Sequence, residues 1–131
     1  HAGDAARHQL AAESDFGAGR IYGFNTSAPE HARAATAQIA QALAPLGIGY
    51  APDQGGPGPD IGPLAARGVT WAWLAQDGSD YFDLHHNADD TLDKIDPAQL
   101  TQNVAAWAGL IWLIADSDVD FRTLRTATTT P

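Results

Sequence analysis

The strongly apolar stretch of residues 104–115 constrains the fold of this chain most. Gly109 interrupts it, and it is well short of the roughly 20 residues that span a bilayer, so we expect a core helix and no membrane span. Asp96-Pro97 supplies an N-cap and the proline that is favoured at the first helical position, which predicts a helix over 97–116. The apolar side chains of this helix share one stripe that is predicted to pack on a sheet, and they are Leu100, Val104, Trp107, Ile111 and Ile114.

Upstream of this helix, short apolar runs alternate with turn signals and one further helix signal. Ser27-Ala-Pro-Glu30 combines an N-cap, an early proline and a reciprocal glutamate, and it predicts a helix over 28–44. The first apolar run ends at Asp15, which puts this carboxylate at the carboxyl end of a predicted strand. Strands and helices in this order predict the α/β class with roughly four strands. The predicted strands are 10–15, 20–24, 48–51 and 68–74.

Charge and cysteine content exclude several classes of function. The chain has 131 residues with 44% apolar side chains, which is enough for one domain with a core. Its 16 acidic and 7 basic side chains give a formal net charge of −9, which repels nucleic-acid phosphates and anionic lipid headgroups, so no nucleic-acid partner is expected. Because the chain has no cysteine, any metal must be held by His, Asp or Glu.

The segment of residues 52–63 is dense in glycine and proline, which favours an irregular loop with tight turns. A linker between domains would have a similar composition. Apolar sequence resumes at Gly68, so we interpret the segment as a functional loop and residues 1–131 as part of a single domain.

The segment Tyr81-Phe-Asp-Leu-His85-His86-Asn-Ala-Asp-Asp90-Thr91 is the densest candidate for chemistry. Neutral imidazole is a preferred zinc ligand, and Asp15 at a strand end can approach it once a sheet forms. By spacing alone, a solvated acidic loop that binds nothing explains the pattern equally well. An EF-hand is not expected, because the sixth position from Asp83 is Ala88 and that loop needs a glycine there.

Several short motifs follow one another along the chain, and they are Glu13-Ser-Asp15-Phe-Gly-Ala-Gly19, Gly58-Pro-Asp60-Ile-Gly-Pro63, Gly68-Val69, Tyr81-Phe82, His85-His86-Asn-Ala-Asp-Asp90-Thr91 and Leu92-Asp-Lys-Ile-Asp-Pro97. In order and spacing these motifs together resemble the end of carboxypeptidase Q-like (plasma glutamate carboxypeptidase-like) zinc peptidases. The resemblance covers residues 8–118. One departure is Thr70, which stands where Gly-Val-Pro is common and changes the entry to that strand.

The resemblance implies a site in which two zinc ions share a bridging Asp and a bridging water. By motif match, Asp15 corresponds to a carboxylate ligand on one zinc, and His86 corresponds to the histidine ligand on the other. The family's His-x-Asp pair, bridging Asp and Glu-Glu pair do not occur in this sequence. Since a catalytic zinc needs about three protein ligands, we expect the isolated chain to bind zinc weakly and to have no peptidase activity.

Five further residues receive roles from the resemblance. His85 would stabilise the developing oxyanion as an imidazolium, or is simply a packed or solvated histidine. Asp90 would accept a hydrogen bond from the ligand imidazole, or cap the turn before the last helix. Asp60 would orient backbone near the metals, although capping a helical turn over 61–67 is the preferred interpretation. Tyr81 and Phe82 are predicted to contact substrate.

The four tryptophans are interpreted as core residues rather than as a binding surface. Trp71 and Trp73 share one face of a predicted strand, and Trp107 and Trp112 lie on the apolar helix.

The implied architecture is a partial mixed-sheet zinc-exopeptidase (phosphorylase/hydrolase-like) fold that lacks its N-terminal half. The chain would be the C-terminal part of one catalytic domain that releases terminal amino acids from peptides or dipeptides. The missing N-terminal half would be the partner of this chain. Without that half, a sheet edge and apolar faces would be exposed, and the chain could self-associate through them. The alternatives are a non-catalytic binding domain on the same scaffold and a glutaminyl cyclase-like acyltransferase. The resemblance suggests a secreted or periplasmic protein.

Overall fold

The computed structural model describes residues 2–123, which form one sheet with helices. Short 3-10 turns flank several of the helices. Among the helices within residues 2–123, none combines the length and apolar character that crossing a membrane requires. The strands are β1 (Ala11–Ala12), β2 (Ile21–Thr26), β3 (Gly49–Tyr50) and β4 (Trp71–Gln76), and the helices are α1 (Arg33–Leu43), α2 (Gly62–Ala65), α3 (Tyr81–Leu84) and α4 (Pro97–Ala115).

The four strands form a mixed sheet in the order β1-β4-β2-β3. The central pair β2 and β4 is antiparallel, with Phe24 opposite Leu74 and a register shift between Ile21 and Gly23. Each outer strand is parallel to its neighbour: β1 to β4 and β3 to β2. The predicted α/β class and the predicted mixed sheet of about four strands are confirmed, although the outer strands are only two residues long.

One face of the sheet carries the core. Ala72 and Leu74 of β4 alternate toward this face and join Leu43 of α1 and Leu110 of α4 in one buried cluster. Phe24, opposite Leu74, completes the contact from β2 and is 1% exposed. Helices α1 and α4 therefore lie side by side on the same face of the sheet.

The opposite face carries Trp71 and Trp73, which are half-buried. The glycine- and proline-rich loop crosses this face: Asn25 Nδ2 donates to the carbonyl of Gln54 over 3.1 Å. At Gly55, which has a φ of +74°, a Cβ atom would overlap the ring of Trp73. The loop is thus irregular, as predicted, and it lies against the sheet rather than linking two bodies.

The bounds of α4 agree with the predicted helix over 97–116, but the predicted apolar stripe is only partly correct. Trp107 and Ile114 pack against the core as predicted, whereas the predicted inward orientation of Leu100, Val104 and Ile111 is wrong. Asp96 caps the helix, and its carboxylate accepts hydrogen bonds from the amides of Ala98 and Gln99. The inward face is instead formed by Gln102, Asn103, Ala106 and Leu110. The exposed large side chains of the helix are Leu100, Val104, Ile111 and Trp112, with 44%, 61%, 62% and 70% exposure.

Two amide side chains explain why polar residues face inward. Gln102 Oε1 accepts from the amide of Ile21 over 3.0 Å, and Gln102 Nε2 donates to the Ile21 carbonyl over 2.8 Å. Ile21 begins β2, before that strand pairs with β3, so its backbone needs another partner. The interpretation of Trp112 as a core residue is wrong, whereas Trp107 packs against the core cluster.

The helix predicted over 28–44 is shorter and begins differently. A 3-10 turn over Glu30–Ala32 precedes α1, and a second over Ala44–Leu46 follows it. Ser27 was predicted as the N-cap, but its hydroxyl accepts a hydrogen bond from the amide of Trp71 instead. The seryl oxygen therefore joins β2 to β4 and does not cap the helix.

Residues 117–123 run back across the start of β4. Phe121 is fully buried, and its carbonyl accepts a hydrogen bond of 2.6 Å from the hydroxyl of Thr70. The Phe121 amide donates to Gln9 Oε1 over 3.0 Å. Thr70 stands where the family commonly has the proline of Gly-Val-Pro, and proline has no hydroxyl. Threonine at this position therefore adds a hydrogen bond that holds residues 117–123.

Candidate functional site

An open cleft of about 630 Å³ lies at one rim of the sheet. Because β1 and β4 are parallel, the segments that follow them leave the sheet at this same rim. Asp15 lines the cleft from the segment after β1, and Tyr81, His85, His86 and Asp90 line it from the segment after β4. The predicted convergence of Asp15 with the histidine pair on one cleft therefore holds.

Buried amides fix the loop that carries Asp15. Gln76, the last residue of β4, donates from Nε2 to the Gly17 carbonyl over 3.1 Å. Asn103 of α4 donates from Nδ2 to the Gly19 carbonyl over 2.9 Å. At Gly19 a Cβ atom would overlap the carbonyl oxygen of Asp77, so only glycine fits there. Strand β4 and helix α4 together thus hold the loop that places Asp15 in the cleft.

A continuous stack of rings positions the two histidines. Phe16 stacks on Tyr81 at a centroid distance of 4.3 Å, Tyr81 on His85 at 4.6 Å, and His85 on His86 at 3.7 Å. His86 has a φ of +58°, a left-handed conformation that is uncommon for residues other than glycine. Surrounding contacts must therefore hold the backbone here, as they often do at functional sites.

The backbone around the histidines is held by short local hydrogen bonds. The His85 amide donates to the Tyr81 carbonyl over 2.7 Å, and the Asn87 amide donates to the Leu84 carbonyl over 3.2 Å. Asn87 Nδ2 also donates to the Asp83 carbonyl over 2.6 Å. A hydrogen-bonded turn therefore follows α3, and both imidazoles at this turn line the cleft.

Neighbouring carboxylates stay ionised because hydroxyl groups donate to them. The Ser79 hydroxyl and amide hold the pKa of Asp77, which lines the cleft, below its usual range. The Thr91 hydroxyl lowers the pKa of Asp93 beyond the cleft in the same way. Five aspartates and one lysine line the cleft, and this excess of carboxylates favours a cation there.

A smaller recess of about 280 Å³ adjoins the cleft, and Asp15 and Tyr81 line both. Its walls include Trp73 and Glu13. Glu13 Oε2 accepts a hydrogen bond of 2.9 Å from the Ile61 amide. This bond ties the segment after β1 to the glycine- and proline-rich loop.

The preferred interpretation of Asp60 as a helix cap is wrong. The residue at the N-cap of α2 is Ile61, with no side-chain capping hydrogen bond, and Glu13 takes the Ile61 amide instead. Asp60 is exposed and does not line either recess. Sequence reasoning missed Glu13, although it stands two residues before Asp15 in the Glu-Ser-Asp motif.

The remaining predicted residues divide between the cleft and the surface. Asp90 lines the cleft. The turn over Leu92–Lys94 that precedes the last helix has Thr91 at its N-cap and no side-chain capping hydrogen bond, so the alternative of Asp90 as the cap of that turn does not apply. Phe82 is 78% exposed, packs edge-on against Tyr81 and lines neither recess. Its contact with substrate stays a prediction.

The donor set fits a metal only in part. Imidazole and carboxylate are suitable zinc ligands, and Asp15 and His86 share one cleft. Within residues 2–123, however, no group of three or more His, Asp or Glu side chains is close enough to hold a metal ion. The cleft therefore offers some ligands and does not complete a catalytic metal site.

Comparisons with known proteins identify relatives along nearly the whole chain. No protein-family model matches. Carboxypeptidase Q of Homo sapiens is 32% identical over 118 residues, and that of Mus musculus is 30% identical over 118 residues. Both matches cover 90% of this chain and 25% of the relative. The chain is homologous to carboxypeptidase Q.

The fold comparison agrees with this homology. The crystal structure of a peptidase M28 precursor from Shewanella amazonensis SB2B superposes with a TM-score of 0.87 and 44% sequence identity. The match covers 95% of this chain and 28% of that protein. The carboxypeptidase Q-like chain thus has the fold of part of a peptidase M28 domain, and it spans about a quarter of the length of its relatives.

Proposed function

We infer that this chain forms the C-terminal part of a co-catalytic di-zinc exopeptidase and supplies one side-chain ligand to each zinc. Asp15 would bind one ion and His86 the other. The observation that carries this proposal is the single cleft that both residues line, beside the ring stack that orients the histidines. Homology to carboxypeptidase Q supports the same reaction class.

The chain's own residues have three tasks in such a reaction. The bound zinc pair would supply Lewis-acid activation of water and of the scissile carbonyl. Asp15 and His86 hold ligand positions, and the stack against Tyr81 keeps the imidazoles from rotating away. His85, next to the ligand, would donate a hydrogen bond to the developing oxyanion. The substrate would be a peptide or dipeptide with its end in the cleft.

The isolated chain is expected to be inactive. Without a cluster of three donors among the described residues, neither ion has the ligand set that catalytic zinc requires. The carboxylate base and the bridging ligand would come from the rest of a longer protein.

Zinc titration by calorimetry, paired with a dipeptide hydrolysis assay, tests the proposal. The chain alone should bind zinc weakly, below two ions per chain, and show no turnover. Tight binding of two ions with turnover would contradict the assignment of an incomplete site.

The metal ligands are tested separately in a longer protein that contains this segment. His86→Ala and Asp15→Ala should each remove one tightly bound zinc and abolish turnover. His31→Ala is the matched control, because His31 is exposed and its ring bonds the Asp120 carbonyl, outside the cleft. Full zinc content and activity in both ligand variants would exclude the proposed roles.

A non-catalytic binding domain on the same scaffold is the second candidate. The incomplete donor set within residues 2–123 favours it. A longer protein that binds peptides in the cleft but contains no zinc and has no turnover would establish this alternative.

A further inference from the structure

The smaller recess beside the cleft has the size of a site for one side chain. Its volume of about 280 Å³ is slightly below the roughly 300–1,000 Å³ of pockets that hold a whole drug-sized ligand. Asp15 and Tyr81 belong to the walls of both the recess and the cleft, so a group in the recess extends directly from the cleft. A substrate bound in the cleft therefore has room for one of its side chains in the recess.

Rings form most of the recess walls. They belong to Phe16, Pro59, Trp73 and Tyr81. The indole of Trp73 is half-buried, and the backbone of Gly55 packs so closely on its six-membered ring that a Cβ atom would overlap Cε3 and Cζ3. A methylene chain gains apolar contact on such walls, and the face of an indole also attracts a cation.

Glu13 places a carboxylate among these rings. Its Oε2 accepts from the Ile61 amide over 2.9 Å, which leaves Oε1 for another donor. Oε1 occupies the space beside Gly58 that a Cβ atom would otherwise fill. An apolar side chain in the recess would displace water from this oxygen without replacing its hydrogen bond, which is unfavourable. A basic side chain would donate to the oxygen instead.

The cleft itself favours the amino end of a peptide. Five aspartates and Lys94 line it, and four of the aspartates remain when Asp15 is assigned to zinc. Their carboxylates attract an α-ammonium group and repel a terminal carboxylate. With the α-ammonium group in the cleft, the side chain that reaches the recess belongs to the amino-terminal residue.

We propose that the recess binds a basic side chain, lysine or arginine, of the amino-terminal residue of the substrate. The methylene chain lies along Trp73, and the cationic end donates to Glu13 Oε1. Glu13 is thus a specificity-determining residue. This inference rests on the proposed peptidase function, whose cleft the recess adjoins.

A matched pair of dipeptides tests the preference for charge. Norleucine has the four-carbon chain of lysine without the ammonium group. In the longer protein that contains this segment, loaded with zinc, kcat/KM should be at least about 10-fold higher for lysyl-alanine than for norleucyl-alanine. Glu13→Gln keeps an acceptor for the Ile61 amide, so it should remove most of this preference without lowering kcat/KM for norleucyl-alanine.

Glu30→Gln is the matched control for the charge change. The Glu30 side chain is 93% exposed, pairs with Arg33 and lies outside both the cleft and the recess. This variant should keep the full preference for lysyl-alanine.

Filling the recess tests where the side chain binds. Gly56 lines the recess, has no positive φ, and a Cβ atom there meets nothing within 4 Å. Gly56→Leu should lower kcat/KM for lysyl-alanine at least about 10-fold and leave that for glycyl-alanine nearly unchanged, since glycine has no side chain to place in the recess. Gly62→Leu, equally unobstructed but outside both the cleft and the recess, should change neither value.

Calorimetry with amino alcohols separates this inference from the peptidase function, because these compounds have no peptide bond. L-lysinol should bind the longer protein at least about 10-fold more tightly than L-norleucinol, and Glu13→Gln should abolish the difference. Tighter binding of norleucinol, a lysine preference that survives Glu13→Gln, or an equal loss for glycyl-alanine in Gly56→Leu would each overturn the assignment of the recess. A lysinol preference in a protein without turnover would support the recess and refute the peptidase function alone.

Discussion

Gln76 at the end of β4 and Asn103 in α4 are joined by a hydrogen bond of 2.5 Å from Nε2 to Oδ1. Both side chains are 5% exposed. Each side chain also donates to the loop that carries Asp15: Gln76 to the Gly17 carbonyl and Asn103 to the Gly19 carbonyl. Helix, sheet and candidate ligand are therefore connected by one buried polar contact.

Removing one member of this pair should destabilise the fold. Asn103→Ala removes the Oδ1 acceptor of Gln76 and leaves the Gly19 carbonyl only the longer bond of 3.4 Å from Gln76. We expect this loss to lower the free energy of unfolding by about 2–3 kcal/mol. Urea denaturation measures the change. Gln38→Ala, at an exposed position of α1, is the control and should stay within about 0.5 kcal/mol. Equal stability of the two variants would mean that the network contributes nothing.

Gly58 should not accept a side chain. Its φ is +84°, and a Cβ atom there would overlap the Glu13 carboxylate that accepts from Ile61. Gly58→Ala should cost about 2 kcal/mol from backbone strain and loss of that hydrogen bond. Gly56→Ala, which meets nothing within 4 Å, should cost less than about 0.5 kcal/mol.

A double-mutant cycle locates the cause of the Gly58 effect. In a Glu13→Ala background, Gly58→Ala should cost only the backbone strain of about 1 kcal/mol. An undiminished cost in that background would exclude the overlap with Glu13 as a cause.

Acid should weaken the contact between Asp120 and Arg122. Hydrogen bonds from the Arg122 side chain, and secondarily from its amide, hold the pKa of Asp120 at about 2. Because this folded-state pKa lies below the unfolded value of roughly 3.9, the stabilisation is complete above about pH 4 and is lost as the pH falls toward 2. Carbon-13 NMR of the Asp120 carboxyl measures the titration.

Arg122→Gln should bring the pKa of Asp120 back toward its ordinary value. Asp53 is the internal control, since its pKa is lowered by the side-chain hydrogen bond from Arg33 and should not change. Identical titration of Asp120 in both proteins would rule out Arg122 as the cause.

Tyr81 should orient the histidine pair through its ring. Tyr81→Leu removes the partner on which both Phe16 and His85 stack, which should cost about 1 kcal/mol and shift the His85 imidazole protons downfield in proton NMR. Tyr81→Phe keeps the ring and should leave those resonances nearly in place. The same resonances in wild type and the leucine variant would argue against the stack in solution.

The sequence predicted the elements well where local chemistry decides them. The Asp96-Pro97 pair marks the start of α4 because its capping bonds lie within four residues. Likewise, the predicted strands over 20–24 and 68–74 correspond to β2 and β4, each of which extends two residues further. Asp15 and His86 were matched by motif, and both line the cleft.

Long-range partners decided what the sequence could not predict. Periodicity finds an apolar stripe on α4 but does not reveal which neighbour each side of the helix meets. Gln102 faces inward because the backbone of Ile21, distant in sequence, needs both a donor and an acceptor. Ser27 matches the local pattern of a helix cap, but its hydroxyl accepts from the Trp71 amide of another strand. The local sequence does not reveal that partner.

Because of the strand directions, some connecting loops line the cleft and others do not. Insertions and deletions would change the candidate metal site only in the loops that line the cleft. Length changes in residues 13–19 or 77–90, after the parallel strands β1 and β4, would displace a candidate ligand directly. The turn over Ala44–Leu46 before β3 contributes nothing to the cleft lining, so homologues can vary its length as long as the Leu46 carbonyl keeps its hydrogen bond from Gln102.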